Sequence, residues 1–331
     1  MGNVAIHGFG RIGRSAMRVA LQEGLFTPVS ISDIKDLETL AALFSVDSNY
    51  GIFPEDVSAR DMSMIIGDRT IQYINSKDEL PDWANLGVDV VIDCTGMATT
   101  RAGAEKHLAR GAKRVLVSAA SKSKDDADIF LLPGISADQY DPANHRIVSM
   151  ASCTTNALAP VVKVVLEQFG IVHGLFSTIH AYTNTQSLTD QPMKDRRDSW
   201  AATENIIPSS SGAARALQFI WPDLKITGKA YRVPTRTGSI AEVNLVTEQS
   251  VTAEAVNDAF REAASKAPLK GIMDVLEGEW ASSRIVGDSH SSIVDLPLTQ
   301  VMGDNFLSCA AWYDNEWAYA SRLAETAAML A

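Results

Sequence analysis

The sequence predicts an α/β protein: a doubly wound parallel sheet, then an α+β region whose sheet is mainly antiparallel. Two observations predict this. Through about residue 150, short runs that are apolar throughout alternate with amphipathic segments, as parallel strands covered on both faces by helices do. After about residue 153 the strand-like runs instead alternate apolar and polar residues, as in a sheet with one open face.

In chain order, VAIHGF reads as a strand and RSAMRVALQEG as a helix, then PVSISD as a strand and DLETLAALFS as a helix. VDVVIDC, TRAGAEKHLARG, KRVLVS and HRIVSM continue the alternation, and the right-handed crossover rule makes the series a doubly wound, Rossmann-type sheet. TNALAPVVKVVLEQFG reads as a helix, with Pro160 inside it expected to kink it locally. HGLFSTIHAYT is a strand. Residues 184–211 are polar and irregular, and a loop that long inside a domain is usually functional or an interface. KAYRVPTRTGSIAEVNLVTEQ, SSIVDLPLTQVMG and FLSCAAWYD are the alternating strands. TAEAVNDAFREAASKA is a helix capped by Thr252, with Ala255 leaving the capping box half made, and EWAYASRLAETAAML is the C-terminal helix.

A net charge of −11 over 331 residues argues against non-specific affinity for nucleic acid or anionic membrane, although a locally basic pocket still suits an anionic metabolite. No apolar run reaches the roughly 18 residues of a membrane span. MGNVAIHGFG enters a strand-like run at once, so no leader is expected, and Ile6 stands where a myristoylation signal has Ser or Thr. Cys94, Cys153 and Cys309 make neither a disulfide framework nor a zinc site; no metal is expected, and a reducing cytoplasm is.

VAIHGFGRIGR places Gly8, Gly10 and Gly13 in G-x-G-x-x-G between a strand and a helix. The first glycine permits the tight turn, the second lets a pyrophosphate approach the backbone, and the third allows close helix–strand packing. Asp33, at the tip of the second strand, is the acid expected to bind the adenosine ribose. A carboxylate accepts from a 2′-hydroxyl and repels a 2′-phosphate, so the cofactor expected is NAD rather than NADP.

Cys153 directly precedes a helical periodicity, with Thr154, Thr155 and Asn156 in the first turn. Unpaired N–H groups and the positive end of the helix dipole favour thiolate there, and the hydroxyls suit an oxyanion or phosphate. His180, near the end of a strand, is the candidate proton partner. His107, His145 and His173 fall in polar helix or turn contexts, His290 in a loop and His7 in the nucleotide turn. The bland alternative is a small buried cysteine, and spacing alone does not bring Cys153 to His180. Cys94 and Cys309 lie in apolar strand runs and read as core.

Six separated motifs, GFGRIGR, ASCTTNALAP, IHAYTNTQ, NIIPSSSGAA, YRVPT and WYDNEW, resemble phosphorylating glyceraldehyde-3-phosphate dehydrogenases over essentially the whole chain. The resemblance implies an NAD-binding domain of residues 1–151 and 316–331 and a catalytic domain of residues 152–315. It implies that Cys153 attacks the aldehyde of D-glyceraldehyde 3-phosphate and that His180 moves the protons. Inorganic phosphate then releases 1,3-bisphosphoglycerate from a thioester. Gly8, Gly10, Arg11, Ile12, Gly13, Asp33, Thr95, Gly96 and Ser118 are implied at the cofactor, with Asn315 on the nicotinamide carboxamide and Tyr319 beside the ring. Thr183 and Arg232 are implied for the substrate phosphate. Ser152, Thr154, Ser211 and Gly212 are implied for the attacking phosphate, and Arg197 as a further anion contact. A cytoplasmic homotetramer is implied, with small-molecule partners only.

Departures from the family pattern fall at His7, where Asn is usual; Ala157, where a second Cys is usual; and Ser211, where Thr is usual. Trp200 stands in place of Arg, Ala98 in place of an aromatic, Gln191 in place of an apolar residue, and two residues are missing before ITGKAYR. Three rivals are weighed. An NADP-linked biosynthetic form is disfavoured by Asp33 and Pro192. An erythrose-4-phosphate dehydrogenase is disfavoured by the intact Ser211–Ala214 stretch. A non-catalytic binding protein is disfavoured by the intact Cys153, His180 and Arg232.

Overall fold

The computed structural model describes residues 2–331. The chain forms two units. One comprises Met1–Leu132, Asp138–Ala151 and Ala320–Ala331; the other comprises Pro133–Ala137 and Ser152–Tyr319.

In the first unit, β1 (Asn3–His7) leads through α1 (Arg11–Glu23) to β2 (Thr27–Asp33) and α2 (Leu37–Ser45). A short ribbon, β3 (Val46–Asp47) with β4 (Gly51–Ile52), precedes the hairpin strands β5 (Val57–Arg60), β6 (Ser63–Ile66) and β7 (Arg69–Asn75). Then come β8 (Val90–Asp93), α3 (Arg101–Ala109), β9 (Arg114–Val117), β10 (Ile129–Phe130) and β11 (Ile147–Ser149). The sheet order is β10-β11-β9-β8-β1-β2-β7-β6-β5. Pairing is parallel from β10 to β7 and antiparallel from β7 to β5. β1, β8 and β9 are buried almost throughout, as the unbroken apolar runs require. α1 stops at Gly24, whose left-handed φ of 62° lets its N–H close onto Ala20.

The second unit opens with α4 (Cys153–Phe169), followed by β12 (His173–Ala181), β13 (Ile207–Ser210), α5 (Ala213–Ile220), β14 (Ile226–Val233) and β15 (Ser239–Val246). It continues with α6 (Ala253–Ser265), β16 (Met273–Leu276), β17 (Ser292–Asp295), β18 (Gln300–Met302) and β19 (Phe306–Tyr313). α7 (Trp317–Leu330) begins here, and its remainder from Ala320 counts with the first unit. The sheet runs β13-β14-β12-β15-β19-β17-β16 with β18 added on β19, and it is antiparallel except at β12/β14 and β16/β17. β15 shows the expected inward–outward alternation, its pattern running buried, partly buried, buried, exposed and onward.

Several sequence expectations need correction. Residues 184–211 are not wholly irregular: they end in β13, which pairs with β14. KAYRVPTRTGSIAEVNLVTEQ is two strands flanking β12, because the Pro-Thr-Arg-Thr-Gly stretch turns the chain. The hairpins β5–β7 were not foreseen; their apolar content is too thin for a run-based reading. As expected, by contrast, α4 contains Pro160. Cys94 lies just past β8 rather than inside it, and His7 is the last residue of β1, not part of the turn. His107 is buried at 2% exposure rather than on a polar helix face.

Candidate active site

β1 lies between β2 and β8, so the chain leaves it in opposite senses and opens a crevice at the carboxyl ends, where doubly wound sheets bind ligands. Three glycines shape that end differently. Gly8 has φ +87°, and a Cβ there would lie 2.7 Å from the Thr95 nitrogen. A Cβ at Gly13 would lie 2.4 Å from the Gly8 carbonyl oxygen, so α1 seats directly on the turn. A Cβ at Gly10 would meet nothing within 4 Å. The open space is at the one glycine whose backbone a pyrophosphate needs to approach. Gly10 caps α1 with no side-chain cap and no acid in the first turn, so no built-in anion competes for that terminus.

Asp33 is fixed at the tip of β2. Its carboxylate accepts from Phe9 N at 2.7 Å, Ile34 N at 2.7 Å and Lys35 N at 3.1 Å. The Arg11 guanidinium instead grips Asp47 at 3.0 and 3.2 Å. Against the raising effect of burial, that pairing and backbone N–H groups hold the Asp47 carboxyl below its usual range. The Arg11 guanidinium is thereby committed to Asp47. Thr95 donates both its N–H and its hydroxyl to Asp93 Oδ1, at 3.0 and 2.7 Å, and Gly96 follows with φ +72°. Ser118 N donates to the Asp93 carbonyl at 3.0 Å. Burial pushes the Cys94 thiol up to about 12 although the residue is only half-buried, and Cys309, pushed up likewise, belongs to the core.

In the second unit, Ser152 caps α4, its hydroxyl accepting from Thr155 N at 3.1 Å. Cys153 is the first helical residue, and its Sγ lies 3.4 Å from His180 Nε2. His180 Nδ1 lies 2.7 Å from the Ala181 carbonyl oxygen. A carbonyl only accepts, so Nδ1 carries the proton and the Nε2 lone pair faces the sulfur. The parallel register of β12 and β14 sets His180 beside Arg232. Arg232 Nη1 reaches the Ala181 carbonyl at 3.5 Å, while its buried Nε has no partner, a donor left over for an anion.

At Cys153 burial and the surrounding donors act on the thiol in opposite senses. Burial pushes the Cys153 thiol above its ordinary value, opposed by the charge of Arg232 and by the first-turn donors. Burial, joined by Arg232, lowers His180 to about 3.

Thr183 is tied to its own turn: Gln186 Oε1 accepts from its N–H at 2.9 Å and its hydroxyl at 3.1 Å. The Ser211 hydroxyl accepts from Ala213 N at 3.3 Å, with Gly212 capping α5. Thr154 Oγ1 lies 3.0 Å from Tyr313 Oη. Asn315 Oδ1 accepts from Gly238 N at 3.2 Å and Ser239 Oγ at 2.9 Å, which orients the amide so that Nδ2 is its remaining donor. Tyr319 is buried on α7. Arg197 is exposed in a single turn, and no contact among the described residues joins it to Cys153, His180 or Arg232.

Residues 2–101 match the NAD-binding domain of glyceraldehyde 3-phosphate dehydrogenase, and residues 152–315 match its C-terminal domain. The chain belongs to the glyceraldehyde-3-phosphate dehydrogenase family. Similar relatives include the glyceraldehyde-3-phosphate dehydrogenase of Streptomyces coelicolor, 44% identical over 97% of this chain and 96% of the relative. Glyceraldehyde-3-phosphate dehydrogenase 1 of Bacillus cereus is 42% identical over 100% and 98%. The enzyme of Mycolicibacterium smegmatis is 44% identical over 99% and 98%. The family is one of NAD-dependent oxidoreductases, and NAD fits the open glycine turn and the fixed Asp33 carboxylate described above.

Within this member of the family, two supporting residues escaped the sequence reading. Tyr313 Oη bridges Thr154 and Thr178, at 3.0 and 2.8 Å, and its ring stands edge-on to His180 at 5.9 Å. Ser239 Oγ accepts from Ala181 N at 3.1 Å and donates to Asn315, so one hydroxyl joins the His180 strand to the WYDNEW turn. The available signal was the motif itself: Tyr313 lies two residues before Asn315, and β15/β19 pairing brings it opposite Ser239.

Proposed function

We propose that the enzyme oxidises D-glyceraldehyde 3-phosphate with NAD and inorganic phosphate to 1,3-bisphosphoglycerate. The observation that carries this is the 3.4 Å contact between Cys153 Sγ and a His180 Nε2 whose tautomer is set by Ala181. As sulfur attacks the aldehyde carbon, its proton passes to Nε2, and the imidazolium returns a proton to the carbonyl oxygen to give a hemithioacetal. Neutral Nε2 then takes that hydroxyl proton as hydride leaves the carbon, producing a Cys153 thioester. NAD, when bound, supplies the hydride acceptor. Inorganic phosphate attacks the thioester carbonyl, the C–S bond breaks to release the Cys153 sulfur as thiolate, the proton held on His180 Nε2 returns to the sulfur, and an acyl phosphate departs.

Arg232, with its unpartnered Nε, is the proposed ligand of the substrate phosphate, with Thr183. Ser152, Thr154, Ser211 and Gly212 are proposed for the attacking phosphate, with Arg197 as a further anion contact. The Asn315 Nδ2 donor is proposed for the carboxamide, with Tyr319 beside the ring, and Gly96 and Ser118 at the cofactor. The Asp33 carboxylate supports NAD over NADP. No helix of the described residues is long and apolar enough to cross a membrane. Three free cysteines support a reducing cytoplasm. Exposed Leu188, Trp200 and Ile206 support assembly with further copies, for which a homotetramer is the proposal.

The test is NADH formation with and without inorganic phosphate. Without phosphate a burst of one NADH per Cys153 is expected, then arrest, with turnover restored by phosphate. Cys153→Ser should lose the burst yet still bind NAD. Undiminished turnover without phosphate would mean that water, not phosphate, takes the acyl group.

A further inference from the structure

Three strand ends of the first sheet meet at one buried polar group. Trp83, His107 and Asp93 are 0%, 2% and 2% exposed. Trp83 sits in an apolar cluster with Ala5, Val88, Val91 and Ala112, and its Nε1 donates to His107 Nδ1 at 3.1 Å. An indole N–H only donates, so His107 Nδ1 bears no proton and the single ring proton is on Nε2. Nε2 donates to Asp93 Oδ2 at 3.0 Å. The other Asp93 oxygen takes both donors of Thr95, and Thr95 Oγ1 in turn accepts from Met97 N at 3.1 Å. Donors from the core side and donors from the 95–97 turn thus converge on the two oxygens of the Asp93 carboxylate. That turn presses on Gly8, where a Cβ would come within 2.7 Å of Thr95 N. His7 closes the group: its Nδ1 lies 2.7 Å from Ser32 Oγ, and its ring stands edge-on to His107 at 5.1 Å.

We propose that Trp83 and His107 are positioning residues for the cofactor: they lock Asp93, which hangs the Thr95–Met97 turn against the glycine turn. This rests on the reading that NAD binds at Gly8–Gly13 and Thr95–Gly96. The possible ligand atoms of His7, Asp93 and His107 all lie within 4.8 Å of one another, but the group does not suit a metal. A cation on His107 Nε2 would have to displace its only proton while Trp83 occupies the other nitrogen.

The test uses the full chain with His107→Leu, His107→Gln and Trp83→Phe. A glutamine amide nitrogen can stand at Nε2 and still donate to Asp93; leucine cannot. Calorimetric titration with NAD is expected to show a Kd raised about tenfold for His107→Leu, severalfold for Trp83→Phe, and within about twofold of wild type for His107→Gln. The KM for NAD should follow Kd while kcat at saturating NAD stays within about twofold, since Cys153 and His180 belong to the other unit. Should His107→Leu fail to fold, the contrast between Trp83→Phe and His107→Gln carries the same test. Unchanged Kd in Trp83→Phe and His107→Leu, or glutamine as harmful as leucine, overturns the proposal. A wild type that binds no NAD overturns the cofactor reading and this proposal with it.

Discussion

His180 Nε2 faces Cys153 Sγ at 3.4 Å while its Nδ1–H is spent on the Ala181 carbonyl at 2.7 Å. The ring can therefore take a proton only from the sulfur side. Burial and the nearby Arg232 charge disfavour that proton at rest, which keeps the base available until substrate arrives.

The same burial makes acid stability depend on His180. Its pKa is about 3 in the folded chain against 6.5 for an ordinary histidine. Between those values the unfolded chain binds the extra proton, so stability is full above pH 6.5 and falls as pH drops toward 3. The loss from this group should reach about 2 kcal/mol by pH 5. Urea unfolding of wild type and His180→Gln across pH 7 to 5 isolates it from the carboxylates, which titrate in both. Parallel slopes would show that the folded ring protonates normally.

Two glycines should fail in different ways. Gly10→Ala places its methyl in open space at φ −73°, a conformation alanine adopts freely, so melting should be unchanged. NAD affinity should drop at least tenfold, because the methyl occupies the cofactor's approach. Gly13→Ala drives a methyl to 2.4 Å from the Gly8 carbonyl and should cost about 1–3 kcal/mol of stability through overpacking. Melting curves and NAD titration of both variants separate the roles; Gly10→Ala binding as wild type would remove the cofactor from that turn.

Legibility followed local chemistry. The glycine turn, Asp33 and the helix-starting Cys153 were readable because turn, cap and strand tip are fixed within a few residues. The Cys153–His180 contact was only a candidate, since it depends on how α4 lies on β12, and only resemblance supported the pair. The charge of the pair was harder to read: a helix N-terminus favours thiolate, while desolvation, invisible along a sequence, pushes the thiol up. His107 was read as polar because its burial partner Trp83 is 24 residues away.

Asp33 should control cofactor choice. Its carboxylate is held by three backbone N–H groups, so it cannot swing aside for a 2′-phosphate. Asp33→Gly removes that charge. The ratio of kcat/KM for NAD to that for NADP is expected to fall by at least tenfold, mostly through better use of NADP. An unaltered ratio would move ribose recognition elsewhere.

Arg232 should separate phosphorylated from plain aldehydes. Its Nε is a buried donor without a partner, and a charge-assisted bond to a phosphate there is worth about 1.5–3 kcal/mol. Arg232→Gln should lower kcat/KM for glyceraldehyde 3-phosphate by about 100-fold, yet lower that for unphosphorylated glyceraldehyde less than tenfold. The substitution also removes a charge that lowers both Cys153 and His180, so the thiol should rise further and alkylate more slowly at pH 8. Equal losses on both aldehydes would mean that Arg232 acts only through the thiol and does not hold the substrate phosphate.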